Sequence, residues 1–223
     1  MTVDPRDLAP QFVLPLVVRV ERAMPPARTD ALEAAALAVL TLLTDPRSYG
    51  DGDWAAAVTA WTDARIRKVV RRARGAEWRR AEALDGITIS RGTAEVRVFP
   101  PVPLDGWPRD LARLQVAGTD LTDPQPPPAP APGLPVLWLN PELEMTAGKA
   151  MAQIGHAAQL GLAALDPATA RRWHDDGFPL AARTPGRGHW AELMRRNLPV
   201  VRDAGFTEVA PGTCTAVAEI LRA

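Results

Sequence analysis

Lysine is almost missing from this chain. Of its 26 basic residues only Lys68 and Lys149 are lysines, and the other 24 are arginines. Ordinary demands for positive charge are therefore met by guanidinium forks. A compact ammonium, able to hold one oxyanion as a point charge or to shift its pKa, then marks a special position. Cysteine is equally scarce: Cys214 alone excludes an internal disulfide and suits a reducing compartment, so a cytoplasmic location is expected. Residues 134–223 hold no serine, which excludes a serine-hydrolase elbow there. His156, His174 and His189 lack metal-ligand spacing, and neither a P-loop nor a GxGxxG run is present, so no metal and no cofactor are expected. The apolar runs are too short to span a bilayer and form no signal-peptide pattern, so no membrane partner is expected either. Net charge is zero. Acidic and basic residues also balance within 1–123 and within 134–223, so a nucleic-acid surface must come from local segregation of charge.

What is present begins with 47% apolar residues, enough for a packed core. Residues 124–133 carry six prolines and sustain neither helix nor ladder pairing. This linker divides the chain into 1–123 and 134–223. Each part opens with an apolar strand (Phe12 to Val20, Val136 to Leu139), passes a methionine (Met24, Met145) and enters an Ala/Leu-rich helix over 30–43 or 149–165. A pair of tryptophans seventeen residues apart follows in each, Trp61 with Trp78 and Trp173 with Trp190. A β-type run closes each part, Ile87 to Phe99 and Val200 to Ala218. Two copies of one βαβαβ-like unit are expected. Aligning the methionines sets Arg28 opposite Lys149, Leu32 opposite Gln153 and Ala35 opposite His156, so the first copy keeps the framework and loses the polar residues.

Those polar residues suggest chemistry. Lys149, Gln153 and His156 are spaced i, i+4, i+7 and share one helix stripe. Gly148 permits close approach at the helix start, where N–H groups and the macrodipole favour an anion. Some fifty residues on, Asp203, Thr207, Gly212, Thr213 and Thr215 punctuate a strand–turn–strand segment. Asp203 can accept from a water or orient Lys149, and threonine hydroxyls can hold a carbonyl or a ribose hydroxyl. Singly, each threonine also reads as a turn former, His156 as a core histidine and Cys214 as packing. The segment 65–80 has eight positive charges and one negative. Its Arg65, Arg67, Lys68, Arg71, Arg72 and Arg74 form a candidate phosphate-binding stripe, or else a solvated arginine-rich face.

In Gly148-Lys149, Ala152-Gln153, His156-Ala157, Asp203-Ala204-Gly205, Thr207, Pro211-Gly212-Thr213 and Thr215, residues 134–223 resemble the Pth2-type peptidyl-tRNA hydrolases. Phe206 stands where that family usually carries a basic residue. The resemblance implies a three-layer α/β/α domain with a four-stranded mixed sheet, here in tandem with a degenerate copy as a monomeric pseudo-dimer, or as a homodimer. It implies cofactor-free hydrolysis of the ester joining peptide to tRNA. By position, the family's functional lysine, aspartate and threonines fall on Lys149, Asp203, Thr207 and Thr213, with Gln153, His156, Gly212 and Thr215 in support. The alternatives are a non-catalytic RNA- or protein-binding module on the same fold, and hydrolysis of another acyl ester or amide.

Overall fold

The computed structural model describes residues 5–203 and 212–220. After a short helix α1 (Pro5–Leu8), strand β1 (Phe12–Arg19) leads through helices α2 (Arg28–Thr44) and α3 (Ala55–Asp63) to β2 (Arg67–Ala73). Helix α4 (Gly75–Glu82), the hairpin β3 (Ile87–Arg91) and β4 (Ala94–Val98), the two-residue β5 (Val102–Pro103) and α5 (Arg109–Ala112) complete the first half. The second half runs β6 (Val136–Leu139), α6 (Ala147–Ala163), α7 (Pro167–Asp175), β7 (Ala181–Arg183), α8 (Arg187–Arg195), β8 (Val200–Arg202) and β9 (Cys214–Glu219).

The two sheets have one design. Strand order is β2-β1-β4-β3 in the first and β7-β6-β9-β8 in the second. In each, the first strand runs parallel to the second and antiparallel to the last, which also pairs the third. The expected four-stranded mixed sheet is present twice, with β5 added beside β1 in the first. Pro15 is tolerated inside β1 because β4 pairs only from Leu16 onward, and its carbonyl accepts from the Phe99 N–H. Proline and glycine around 179–188 shorten β7 to three residues, yet it keeps its place beside β6.

Helices α2 and α6 pack against each other between the sheets, and the largest core cluster draws on both halves. Close approach depends on small residues. A Cβ on Gly155 would lie 3.0 Å from Val39 Cγ2. Because neighbours surround α2 on several sides, it is apolar around most of its circumference, unlike a surface helix with one apolar stripe. Separate clusters cover the outer faces, one around Trp78 and Leu111, the other around Trp138, Trp190 and Leu193.

The structure corrects the methionine-based alignment by two residues along the helices. Trp61 Nε1 donates to the Arg67 carbonyl at 2.8 Å and Trp173 Nε1 to the Pro179 carbonyl at 3.0 Å, which matches Lys68 on β2 with Leu180, the residue just before β7. Helices α2 and α6 both span 17 residues, so Arg28 matches Ala147. Their ends agree: the N–H of Thr29 and that of Gly148 are each capped by a side chain from the last residues before the proline-rich linker, Asp123 Oδ1 at 2.8 Å and Thr119 Oγ1 at 2.9 Å. Lys149 therefore stands opposite Asp30, Gln153 opposite Ala34 and His156 opposite Leu37. The methionine alignment failed because the connection after the first strand differs in length between the halves.

Candidate functional site

Thr146 precedes α6 and caps it, its Oγ1 accepting from the Lys149 N–H at 3.4 Å. This fixes the first turn, and Lys149 Nζ reaches Asp203 Oδ2 at 2.6 Å. Asp203 directly follows β8. Its N–H donates to the Thr213 carbonyl at 2.9 Å, and its own carbonyl accepts from the Gly212 N–H at 2.7 Å. Gly212 has φ 81°, a left-handed conformation that favours glycine. One turn along α6, Gln153 Nε2 donates to the same Asp203 oxygen at 3.2 Å, while Gln153 Oε1 accepts from Thr215 Oγ1 at 2.5 Å. The Thr215 hydroxyl also lies 3.4 Å from the Val201 carbonyl. A hydrogen-bonded line thus runs Thr215, Gln153, Asp203, Lys149 from the core outward, with side-chain exposure of 7% at Asp203 and 15% at Lys149. Such a pair loses hydration on burial and is held by mutual attraction plus the added donors.

The stripe predicted on α6 divides in two. Lys149 and Gln153 meet Asp203, but His156 turns to the other half, its Nδ1 3.2 Å from Lys68 Nζ. Lys68 also donates to Gln159 Oε1 at 2.5 Å and lies 4.7 Å from the Trp61 ring centre. Burial pushes the Lys68 amine well below its ordinary pKa, and burial with the nearby Lys68 and Lys149 charges pushes His156 well below its own. Thr213 is half-buried and contributes its carbonyl to Asp203. Thr207 lies outside the described residues, as do Phe206 and Pro211. Cys214 packs with its Sγ 3.5 Å from Met194 Sδ, and burial raises its thiol pKa, which disfavours a nucleophilic thiolate. Among the described residues no group of three or more His, Cys, Asp or Glu could hold a metal, and no helix is long and apolar enough to cross a membrane.

The start of α6 is not the open anion corner that its glycine suggested. Thr119 takes both leading donors, the Ala147 N–H with its carbonyl at 3.1 Å and the Gly148 N–H with its hydroxyl. A Cβ at Gly148 would lie 2.9 Å from that hydroxyl, so this glycine admits Thr119 rather than a ligand. Nothing near Thr119 in sequence signals the role. The basic segment is also divided. Arg71 donates to the carbonyls of Leu114 and Ala112 at 2.5 and 3.2 Å and stacks on Trp107, while Arg72 holds the Ala117 carbonyl at 2.9 Å and the Gln115 side chain. These two arginines anchor the strap that leads to Thr119. Arg74 sits at the start of α4. Arg65 pairs with Asp7 at 2.8 Å.

Arg65, Arg67 and Lys68 form one wall of a cleft of about 610 Å³, and Lys149, Gln153 and His156 line the other, with Arg202 and Asp203 beside them. Both lysines of the chain face this one space. A second cavity of about 590 Å³ lies at the matching place on the other side, bounded by Asp30, Glu33, Arg91, Leu180 and Arg183. The proline-rich segment lies along it, with the Arg183 guanidinium on the Pro128 carbonyl at 3.0 Å. Buried Glu33 is held there by Arg91 at 3.0 Å and Arg183 at 2.8 Å.

Fold and site together define an α/β protein with paired mixed sheets and a buried lysine–aspartate pair opening on a cation-lined cleft. The family model for peptidyl-tRNA hydrolase PTH2 matches residues 135–219. A peptidyl-tRNA hydrolase from Pyrobaculum aerophilum is 39% identical over 88 residues, covering 34% of this chain and 73% of that protein. The chain belongs to the PTH2 family of peptidyl-tRNA hydrolases.

Proposed function

We propose that this protein hydrolyses the ester joining a peptide to the terminal ribose of tRNA, at Lys149 and Asp203. The observation carrying this reading is the Lys149–Asp203 pair at 2.6 Å, set in a cleft with Arg65, Arg67 and Arg202 around it. Asp203 orients a water and receives its proton as the oxygen attacks the ester carbon. Lys149 holds the oxyanion that develops on the carbonyl oxygen. Collapse of the tetrahedral intermediate breaks the bond to the ribose oxygen, which takes the proton back from Asp203 and leaves with the tRNA. Gln153, locked by Thr215, keeps the Asp203 carboxylate facing the lysine, and Gly212 with Thr213 holds its backbone. Thr207 and Thr213 are assigned to positioning water, and His156 to support. The surrounding arginines receive RNA phosphates.

Residues 134–223 are read as the catalytic unit, 124–133 as the linker and 1–123 as a degenerate copy, so that one chain makes a pseudo-dimer. Turnover of labelled N-acetyl-aminoacyl-tRNA by the full chain tests the assignment beside Lys149→Ala and Asp203→Ala. Preorganised charge is a large catalytic term, so each variant is expected to lose on the order of 10²-fold or more in kcat/KM. Native-like turnover in either variant sinks these roles. A folded native protein that binds tRNA without turnover favours the non-catalytic RNA-binding module.

A further inference from the structure

The reaction above leaves the chain's other lysine unused. Lys68 is 8% exposed, on the inward face of β2, yet it lines the cleft together with His156. The molecule carries its own control for this cluster. Across the two matching halves, Lys68 corresponds to Leu180, His156 to Leu37 and Gln159 to Leu40. Leu180 and Leu40 are 2% and 0% exposed, and Leu37 packs against the same core. Three leucines therefore close the same kind of junction on the side whose cavity the proline-rich segment lies along. An amine, an imidazole and an amide in that place give up hydration that hydrogen bonds return only in part. The fold does not require the polar trio, and it occurs on the side of the cleft that holds Lys149 and Asp203.

Position along the helix limits what Lys68 can touch. It docks on residues seven to ten positions beyond Lys149, roughly 10–15 Å along α6 at 1.5 Å per residue. That distance places it away from an ester held at Lys149 and within reach of a part of the substrate beyond the reacting bond. Arg67 lies next to it on the same wall, and apart from Asp203 the cleft lining is free of carboxylates among the described residues.

We propose that Lys68, from the N-terminal half, binds a backbone phosphate of the single-stranded RNA end entering this cleft, held in place by His156 and Gln159, so that the substrate site is built from both halves. This rests on reading the cleft as an RNA site and assigns one wall of it to the half outside the family match. Burial lowers the pKa of this amine, and a phosphate beside it favours the charged form.

The test is fluorescence anisotropy of an RNA hairpin ending in a single-stranded CCA tail, with full-length native protein, K68M, K68Q and K68R, and thermal unfolding of the same samples. K68M is expected to fold with a Tm at or above native, since the matching position is leucine. K68M and K68Q should bind the RNA about tenfold or more weakly and lower the salt-dependence slope by about 1, while K68R keeps the slope and binds more tightly than either. In turnover the loss should fall on KM rather than kcat. Native RNA affinity in folded K68M or K68Q overturns the proposal, as does a K68M that cannot fold, because the junction would then need its lysine. If the native protein binds RNA but hydrolyses nothing, the hydrolase reading fails and the binding measurements still decide the role of Lys68.

Discussion

The two halves build the same sheet and then reverse its charges. Where the second half sets Lys149 against Asp203, the first has Asp30 on the helix and Arg91 at the end of β3. Asp30 accepts from the N–H and hydroxyl of Thr93 at 2.7 Å, closing the two-residue turn between β3 and β4. Arg91 turns to buried Glu33. In the second half the strands of that hairpin are separated by residues 203–213, and Asp203 stays at the cleft. The same scaffold thus carries a tied-down turn and a cavity lined by the proline-rich segment on one side, and the lysine–aspartate site on the other. The change lies in a few side chains and one turn length, not in the topology.

The largest effect expected from perturbing this contrast is on pH dependence. Lys68 and His156 both have depressed pKa values in the folded protein, so the unfolded chain binds more protons below their ordinary values of 10.5 and 6.5. Stability therefore rises with pH through each window, and it falls on acidification below 6.5 as His156 is forced to charge. Urea unfolding from pH 5 to 10 should show native stability still increasing above pH 7, with that alkaline rise missing in K68M. An equal rise in both proteins would mean that Lys68 is charged in the folded state.

Giving Gln153 the residue of its counterpart Ala34 is the next step. Gln153→Ala removes a donor from Asp203 and an acceptor from Thr215, and an unsatisfied buried group costs about 1–3 kcal/mol. Chemical denaturation measures it, and a loss below about 0.5 kcal/mol would show that water replaces the amide readily. The smallest change concerns the caps. Thr119→Val should cost about 1 kcal/mol at α6, and Asp123→Ala a similar amount at α2. Unequal costs would show that one helix leans on the strap more than the other.

Much of this was readable from the chain. Alternation and apolar runs located the main strands and both long helices, and the tryptophan spacing marked matching elements in the two halves. Lys149 and Gln153 could be placed together because a helix puts i and i+4 on one face. Less accessible were features set by distant partners. Thr119 caps α6 from 29 residues away, and Lys68 finds His156 across 88, separations at which local pattern carries no information. Arg71 and Arg72 looked like surface charge because composition does not reveal that their partners are backbone carbonyls. His156 shares a stripe with Lys149, but the strand packed over its end of the helix belongs to the other half.

The strap between the halves has a consequence for dilution. When two separate subunits form a site, falling concentration separates them and the site is lost by mass action. Here residues 119–131 bind the starts of both central helices and join them covalently, so the encounter of the halves is intramolecular, with an effective concentration set by a short, stiff connection. Dilution does not part the two halves of one chain. Each half could also mutate without its partner having to accept the same change.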